Sequence, residues 1–587
     1  SKTYCHNFLR KNMKKLKYLA LSAIALLFAS CESFLDTENY TEKNTSNYPQ
    51  TLADAQQVIA GIYNNLSVVN ANPQYSFHIV SELASDDRFG GGGINDRQLQ
   101  AIDLLMAPGT DMMRQFWIDR YAGIQRANNA IETLGNCTGY ESENQKNQMI
   151  GEAHFLRAFY YYELASLFEN IPLIISTATS GTTPQADPAE TWSQIISDLK
   201  SAIELMPAQK TTTANAGHVD KYAAEAMMAR AFLFYTGFYK KTDITLPDGS
   251  TVSKNDVIGW IDDCANNSGY SLVPDYRNLW AYSNRLTKED YTYTKGQNLK
   301  WVEDDNAVNP ESMFAIKYSK FASWSTTIGY SNGYALFFGV RGSQDLGNTF
   351  PFGQGWGAGP VSPALWKDWT AAEPQDMRRQ ASVCNIPSEL PKYTKGGWTD
   401  FVQETDFYDK KNSPISSKKT SGDGYWETFE QDMYSYSTVN FQLSNIHDLV
   451  LIRFADVLLM QSELKQDVSG INKVRERSGL DPIGTYSDDA LRNERRWELS
   501  FEGVRWNDIR RWHIAETALA VQNNQAVYFQ GQADKNVTTN NGGGYVARYT
   551  ATNGGFFPIP ESEISLSGGV YKQNAGWESG TLYSGWK

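Results

Sequence analysis

Between about Thr51 and Ser268 apolar residues recur at intervals of three and four in five successive stretches: 52–69, 112–134, 144–168, 190–206 and 219–239. This spacing places them on one face of an α-helix, so each stretch predicts an amphipathic helix that must cover its stripe against a neighbour. In the third, Ala153, Leu156, Tyr160, Leu164 and Leu167 form the stripe, and Ala158 and Ala165 let another helix approach closely. Pro172 and Pro207 stand just past helix ends, where proline stops a helix without breaking it. The fifth stretch is apolar nearly all round from Ala223 to Phe234, which predicts burial between other helices. Helix pairs of this kind predict tetratricopeptide-like hairpins, although no strict repeat period is kept.

From about Gly269 to Ile446 the helical period fades and Gly, Pro, Ser, Asn and aromatic residues take over, as in Gly353-Gln354-Gly355-Trp356-Gly357-Ala358-Gly359-Pro360. The density of Trp and Tyr argues against a disordered linker and predicts loops and short strands packed on the helices. Helical patterning returns at 447–465, 471–478 and 487–520, before a loop-rich tail. The expected fold is therefore mainly α. A tetratricopeptide-like helical hairpin scaffold (51–268) is followed by a large loop-rich insert containing short strands (269–446) and a second helical region with its tail (447–587).

The N-terminus carries an address. Met13-Lys14-Lys15-Leu16-Lys17 is a basic start and Tyr18 to Ala29 an apolar run too short to span a bilayer. It ends in Ala29-Ser30-Cys31, which resembles the lipobox of bacterial lipoproteins, with Phe28 in place of the usual aliphatic residue. An ordinary secretory signal with a coincidental cysteine is the alternative. On the lipoprotein reading residues 1–12 are a leader upstream of the true start, 13–30 a signal peptide, and 31–50 a polar tether. The Cys31 thiol would carry the lipid, so the body is anchored rather than inserted.

A formal charge of −13 repels phosphate backbones and argues against nucleic-acid binding. The 16 Trp and 33 Tyr offer flat apolar faces with a polar edge, suited to sugars or peptides, although most are expected in the core. Cys5, Cys31, Cys137, Cys264 and Cys384 form no CxxC pair and no zinc-ligand spacing; a Cys137–Cys264 bridge is left open. The histidines lie in no nucleophile-activating or zinc-protease arrangement. Arg495 and Glu498, Glu502 and Arg505, Asp508 and Arg511, and Arg453 and Asp456 sit three apart, as surface or interhelical ion pairs do. Glu82, Asp86 and Asp87 cluster without an acid–base motif, and Gly90-Gly91-Gly92-Gly93 lacks the Lys-Ser/Thr of a phosphate loop and reads as a flexible loop.

Several ordered segments carry a resemblance. Gly151-Glu152-Ala153-His154-Phe155-Leu156-Arg157-Ala158-Phe159-Tyr160-Tyr161-Tyr162-Glu163-Leu164 resembles the N-terminal helix motif of SusD/RagB proteins. Leu451 to Met460, Ile471 to Leu480, Glu494 to Trp512 and Phe557-Pro558-Ile559-Pro560-Glu561 are similar to the C-terminal half of that family, in its order. Gln461-Ser462-Glu463 departs from the Ala usual before the Glu.

The resemblance implies a non-catalytic, lipid-anchored protein of the outer membrane, facing the cell surface. Such a protein captures an oligosaccharide or a peptide and passes it to a SusC-like TonB-dependent barrel; a surface glycosidase is the remote alternative. It implies no cofactor, and a bound calcium is left open. It also implies that ligand contacts follow a Ser/Glu/Asp-rich segment, loosely matched by Ser81-Glu82-Leu83-Ala84-Ser85-Asp86-Asp87, and come from the middle region. Phe89 would then stack on a ring face, with Asn95 and Arg97 hydrogen-bonding hydroxyls or an acidic group. Trp280, Tyr282, Trp324, Tyr330 and Trp356 are the aromatic candidates from the middle region, since they lie among turn-forming residues.

The anchor can be tested directly. Cys31→Ser should abolish incorporation of labelled palmitate and release the protein from the outer-membrane fraction. A variant that still takes up label and sediments with the membrane would refute the lipoprotein reading.

Overall fold

The computed structural model describes residues 48–70, 76–92, 96–323, 331–341, 345–396, 403–436, 440–534, 543–577 and 583. The signal, Cys31 and most of the tether lie outside them.

The N-terminal region is helical, as the periodicity predicts: α1 (Leu52–Asn70), α2 (Phe77–Ala84), α3 (Arg97–Asp103), α4 (Arg114–Thr133), α5 (Glu143–Phe168), α6 (Pro188–Leu205), α7 (Lys221–Phe238) and α8 (Lys254–Asn267). Their starts are written in the sequence. Ser142 accepts a hydrogen bond from Gln145 N at α5, Asp187 from Ala189 N with Pro188 at the first turn of α6, and Asp220 from Ala223 N at α7. Ser253 and Asp256 close a capping box on α8. The long helices pack in succession as antiparallel neighbours, α4 on α5, α5 on α6, α6 on α7 and α7 on α8. Ala153, Leu156, Tyr160, Leu164 and Ala165 of α5 are fully buried, as are Ala223 to Ala231 of α7 on almost every side. The pattern had not shown α2, α3 and α8, which are short or have mixed polar faces.

The insert is joined to this scaffold by strand β1 (Ser312–Ile316), which pairs antiparallel with β2 (Leu449–Arg453), Ile316 opposite Leu449 and Ser312 opposite Arg453. Phe314 of β1 points its ring edge at Phe155 and Phe159 of α5, at 5.1 and 5.0 Å. Residues 449–453 therefore form a strand where a helix was expected, and α9 (Phe454–Lys465) starts after Arg453. The short apolar run Leu449 to Ile452 fits either period, and pairing with β1 decides the outcome. It is followed by α10 (Ser469–Arg477), α11 (Asp488–Leu499) and α12 (Arg505–Arg511). The single stretch expected over 487–520 is broken because Phe501 and Gly503 adopt positive φ of 65° and 77°. The rest of the insert is short helical turns and two- or three-stranded ribbons with an aromatic core of its own around Tyr276, Tyr282, Trp301, Phe352 and Phe429.

What fastens the regions together is ionic and buried. Glu498 of α11 meets Arg453 at 2.7 Å, Arg378 at 2.8 Å, and Arg477. Burial alone would raise its carboxyl, but the guanidiniums of Arg477, Arg453 and Arg378 hold it far below the usual range. Asp456 joins Arg495 (2.6 Å) to Arg230 of α7 (2.7 Å). Asp86 binds Arg505 at 2.8 Å, and Asp87 binds Arg496 at 2.7 Å. Of the sequence pairs three apart, only Asp508–Arg511 closes within its helix, at 2.9 Å; the others pair across elements. Cys137, Cys264 and Cys384 are free and buried, so no Cys137–Cys264 bridge forms. Among the described residues no helix is long and apolar enough to cross a membrane, and no group of three His, Cys, Asp or Glu is placed to hold a metal.

Glu225 of α7 contrasts with the paired acids. It is 1% exposed and makes no ion pair among the described residues; burial and the Asp263 carboxylate push its pKa from 4.5 to about 9. Between these values the folded protein holds a proton that the unfolded chain has lost, so stability falls as pH rises, by up to ~1.4 kcal/mol per pH unit. Glu225→Gln should melt at or above the wild-type temperature at pH 8.5 and lose that advantage by pH 5. A difference between the two proteins that does not change with pH would show that Glu225 is not held protonated.

Candidate ligand-binding site

The segment after α2 is pinned by one buried cation. Arg88 gives Nε to Glu82 at 2.5 Å, one Nη to Gly359 O at 2.9 Å and the other to Asp409 at 2.8 Å. Its guanidinium carbon lies 4.1 Å from the ring centre of Phe338 and 4.5 Å from that of Phe501. Glu82, Asp86 and Asp87, the acidic cluster of the sequence, are thus all committed to arginines.

Beyond Arg88 the chain runs along the second glycine-rich stretch. Phe89 N donates to Pro360 O (2.9 Å), Gly359 N to Gly90 O (3.0 Å), and Gly92 N to Gly357 O (3.4 Å). On its other side the 353–359 strip bonds to 336–340, through Trp356 N to Leu336 O at 2.7 Å and Gly355 N to Val340 O at 3.0 Å. Three backbone segments lie side by side with almost nothing between them. A Cβ on Gly91 would stand 2.4 Å from Gly357 O, and one on Gly355 2.4 Å from Gly339. Gly91 also has φ +74°. The glycines Gly90 to Gly92 therefore serve close approach in a packed clasp and are not a flexible loop; Gly93 lies outside the described residues.

The clasp presents a polar rim. Arg341 donates Nη1 to Trp356 O at 2.7 Å and stands 3.6 Å from the Asp96 carboxylate, at the start of α3, where Arg97 follows. Trp356 is half-buried, packed edge-on against Phe337 at 4.8 Å, and its indole N–H has no hydrogen-bond partner among the described residues. Glu404 lies behind the rim, raised by burial although it accepts the Tyr393 hydroxyl and Gly396 N and feels the Lys395 and Arg341 charges.

Of the residues singled out from sequence, Trp356 lies at this rim, and Arg97 follows Asp96 at the start of α3. Phe89 is fully buried under the clasp. Tyr282 is fully buried in the insert core, its hydroxyl on Ala381 O at 2.8 Å. Trp280 is 9% exposed, with the Lys411 ammonium 4.8 Å over its ring. None of these three offers a ring face to solvent. Asn95, Trp324 and Tyr330 lie outside the described residues. Asp96 and Arg341 were missed. Their only signal was a lone acid and a lone arginine in glycine-rich surroundings.

Chemically, a half-buried indole with a free donor, whose backbone carbonyl is held by a guanidinium that also meets a carboxylate, can stack one sugar face and hydrogen-bond its hydroxyls. The architecture is that of a helical scaffold carrying an irregular, loop-rich face. Two family models match the chain: one described as starch-binding associating with the outer membrane (SusD-like) over residues 33–233, and the SusD family model over 310–577. The chain belongs to the SusD/RagB family.

SusD-like protein P2 of Formosa agariphila is 28% identical over 494 residues, covering 79% of this chain and 84% of that protein. A SusD-like protein of Bacteroides ovatus is 22% identical, covering 87% and 85%. Among solved structures, a laminarin-binding SusD-like protein has a TM-score of 0.66 at 22% identity, over 90% of this chain and all of that one. Surface glycan-binding protein A from Bacteroides thetaiotaomicron, in complex with laminarihexaose, has a TM-score of 0.66 at 19% identity, over 89% of this chain and 100% of that one. At these identities the likeness is one of fold.

The clasp makes a sharp prediction. Gly91→Ala should lose roughly 1–3 kcal/mol of stability in urea unfolding, from positive φ and backbone collision together. Gly61→Ala is the control: a Cβ there meets nothing within 4 Å inside α1, so it should be neutral or gain up to ~1 kcal/mol. Equal effects of the two substitutions would mean the clasp is not packed as described.

Proposed function

We propose that the chain is a glycan-capturing protein that performs no catalysis itself, held on the outer face of the outer membrane by lipid on Cys31, and that it passes its ligand to a TonB-dependent barrel. The observation that carries the glycan reading is Trp356. It is the one aromatic candidate among the described residues that is only half-buried and keeps an unused N–H, and the clasp ties it to Arg341, which meets Asp96. The fold relatives solved with laminarihexaose and with a xylogluco-oligosaccharide support a sugar rather than another small molecule. A peptide remains the second ligand class, since an indole beside a guanidinium also suits one.

Absence of catalysis is supported by how the nearby acids are used. Glycoside hydrolysis needs two carboxyls facing each other across a bond, about 5–10 Å apart and open to substrate. Asp96 faces Arg341, and Glu404 is buried behind Tyr393.

The test is calorimetric titration with laminarihexaose, a xylogluco-oligosaccharide and short peptides. Trp356→Ala should weaken binding by roughly 1–3 kcal/mol with little change in melting temperature. Tyr282→Ala, in the core, should instead lose ~3–5 kcal/mol of stability. A stable Trp356→Ala protein that binds its ligand as wild type does would place the site elsewhere, and release of shortened sugars would overturn the non-catalytic reading.

A further inference from the structure

Away from the Trp356 rim, two adjoining cavities of about 530 and 700 Å³ flank the turn 213–218. They share Ala216, Gly217, His218, Ala315 and Lys317, so they form one groove from α1 and α5, across that turn, to β1 and the segment after it. None of the clasp residues lines it. Each half is within the size range of ligand sites.

The half beside α1 is neutral and polar. Gln56 and Asn64 face it with side-chain amides that have no hydrogen-bond partner among the described residues, next to the apolar Ile59 and Met149. At the junction the buried Glu152 carboxylate collects the Tyr63 hydroxyl, the Gln148 amide and His218 Nδ1, each at 2.8 Å. That leaves His218 Nε2 without a partner on a side chain that is 46% exposed.

The other half carries three lysines, Lys210, Lys317 and Lys320, against the two carboxyls of Glu303 and Asp448. Lys317 is paired with Asp448 at 2.5 Å. Burial and the Asp448 charge raise the neighbouring Glu303 carboxyl well above its ordinary value. Lys210 has its ammonium 4.5 Å over the Tyr270 ring and donates to Gly269 O at 3.3 Å; Lys320 lies 5.9 Å from the Phe321 ring. Neither lysine has a carboxylate partner among the described residues. Two lysines that make no ion pair among the described residues thus line one end of a groove in a chain of net charge −13.

We propose that this groove is a second glycan site, selective for oligosaccharides that carry an anionic group. Gln56, Asn64 and His218 read hydroxyls, and Lys210 and Lys320 hold the anion. Amides match the donor–acceptor character of hydroxyls, whereas ammonium groups act as point charges for a carboxylate or a sulfate alike. The proposal takes from the preceding reading only that the ligand is a glycan.

The experiment titrates the intact chain with oligogalacturonate, a sulfated carrageenan oligosaccharide and neutral laminarihexaose, in wild type, Lys210→Ala/Lys320→Ala and Trp356→Ala. At least one anion should bind, less tightly at higher salt, about tenfold more weakly in the double lysine variant and unchanged in Trp356→Ala. Both lysines lie at the groove surface, and an unchanged melting temperature shows that the double variant is folded. Failure of both anions to bind, or anion binding indifferent to the double substitution, overturns the groove. Laminarihexaose binding that depends on Trp356 while the anions fail sinks the groove alone; the opposite result sinks the Trp356 site alone.

Discussion

Glu498 is a fully buried carboxylate that can exist only if three arginines from different parts of the chain arrive together. Arg378 comes from the insert, Arg453 from the end of β2 and Arg477 from the end of α10. Its own peptide oxygen takes further donors from Arg453, Lys411 and Tyr276, at 2.7, 3.1 and 3.0 Å. Taking such a group out of water costs several kcal/mol, and that cost is offset only when every partner is in place. Any arrangement of the insert that left one arginine behind would strand a buried charge. The network therefore narrows the ways in which an irregular, loop-rich region can settle on its scaffold.

The same network reaches the Trp356 rim. Glu502 holds Arg453 and Lys411, each at 2.7 Å. The backbone N–H of Lys411 donates to Asp409 at 2.6 Å, and Asp409 in turn holds Arg88. Arg88 is gripped between Phe338 from the insert and Phe501 from the C-terminal region, and its own carbonyl accepts from Gln522 at 2.7 Å. From Arg88 onward the glycine clasp follows. The position of Trp356 is thus set by a continuous path of ion pairs and backbone contacts rather than by a free loop. A platform fixed in this way has little freedom to lose on binding, which is where affinity for a flexible sugar is otherwise spent.

The helical scaffold was legible because its long helices each repeat one period over many residues. Elements set by partners rather than by period were not. Residues 449–453 became a strand because β1 lies beside them. The helix expected to run through 487–520 broke at Phe501 and Gly503, where the chain turns to let Phe501 reach Arg88. Charge pairs three apart were visible, but apart from Asp508–Arg511 their members pair with residues 13 to several hundred positions away, as with Arg495–Asp508 and Arg505–Asp86. Spacing along a helix cannot distinguish a solvated pair from one whose members each face a different neighbour.

The aromatic candidates show the limit most clearly. Trp280, Tyr282 and Trp356 all sit among turn-forming residues, and composition treats them alike. In the fold, Trp280 faces the ammonium of Lys411 and the guanidinium of Arg453, at 4.8 and 5.9 Å, so its ring stabilises buried cations. Tyr282 is enclosed by Tyr291 and Tyr293. Trp356 differs in its immediate neighbours. Gly355 and Gly357 put no side chain beside it, and the backbone on both sides is already paired to other backbone. An indole between two clamped glycines is held firmly and left partly uncovered. Ligand stacking needs both conditions at once, and neither abundance nor turn propensity reports on them.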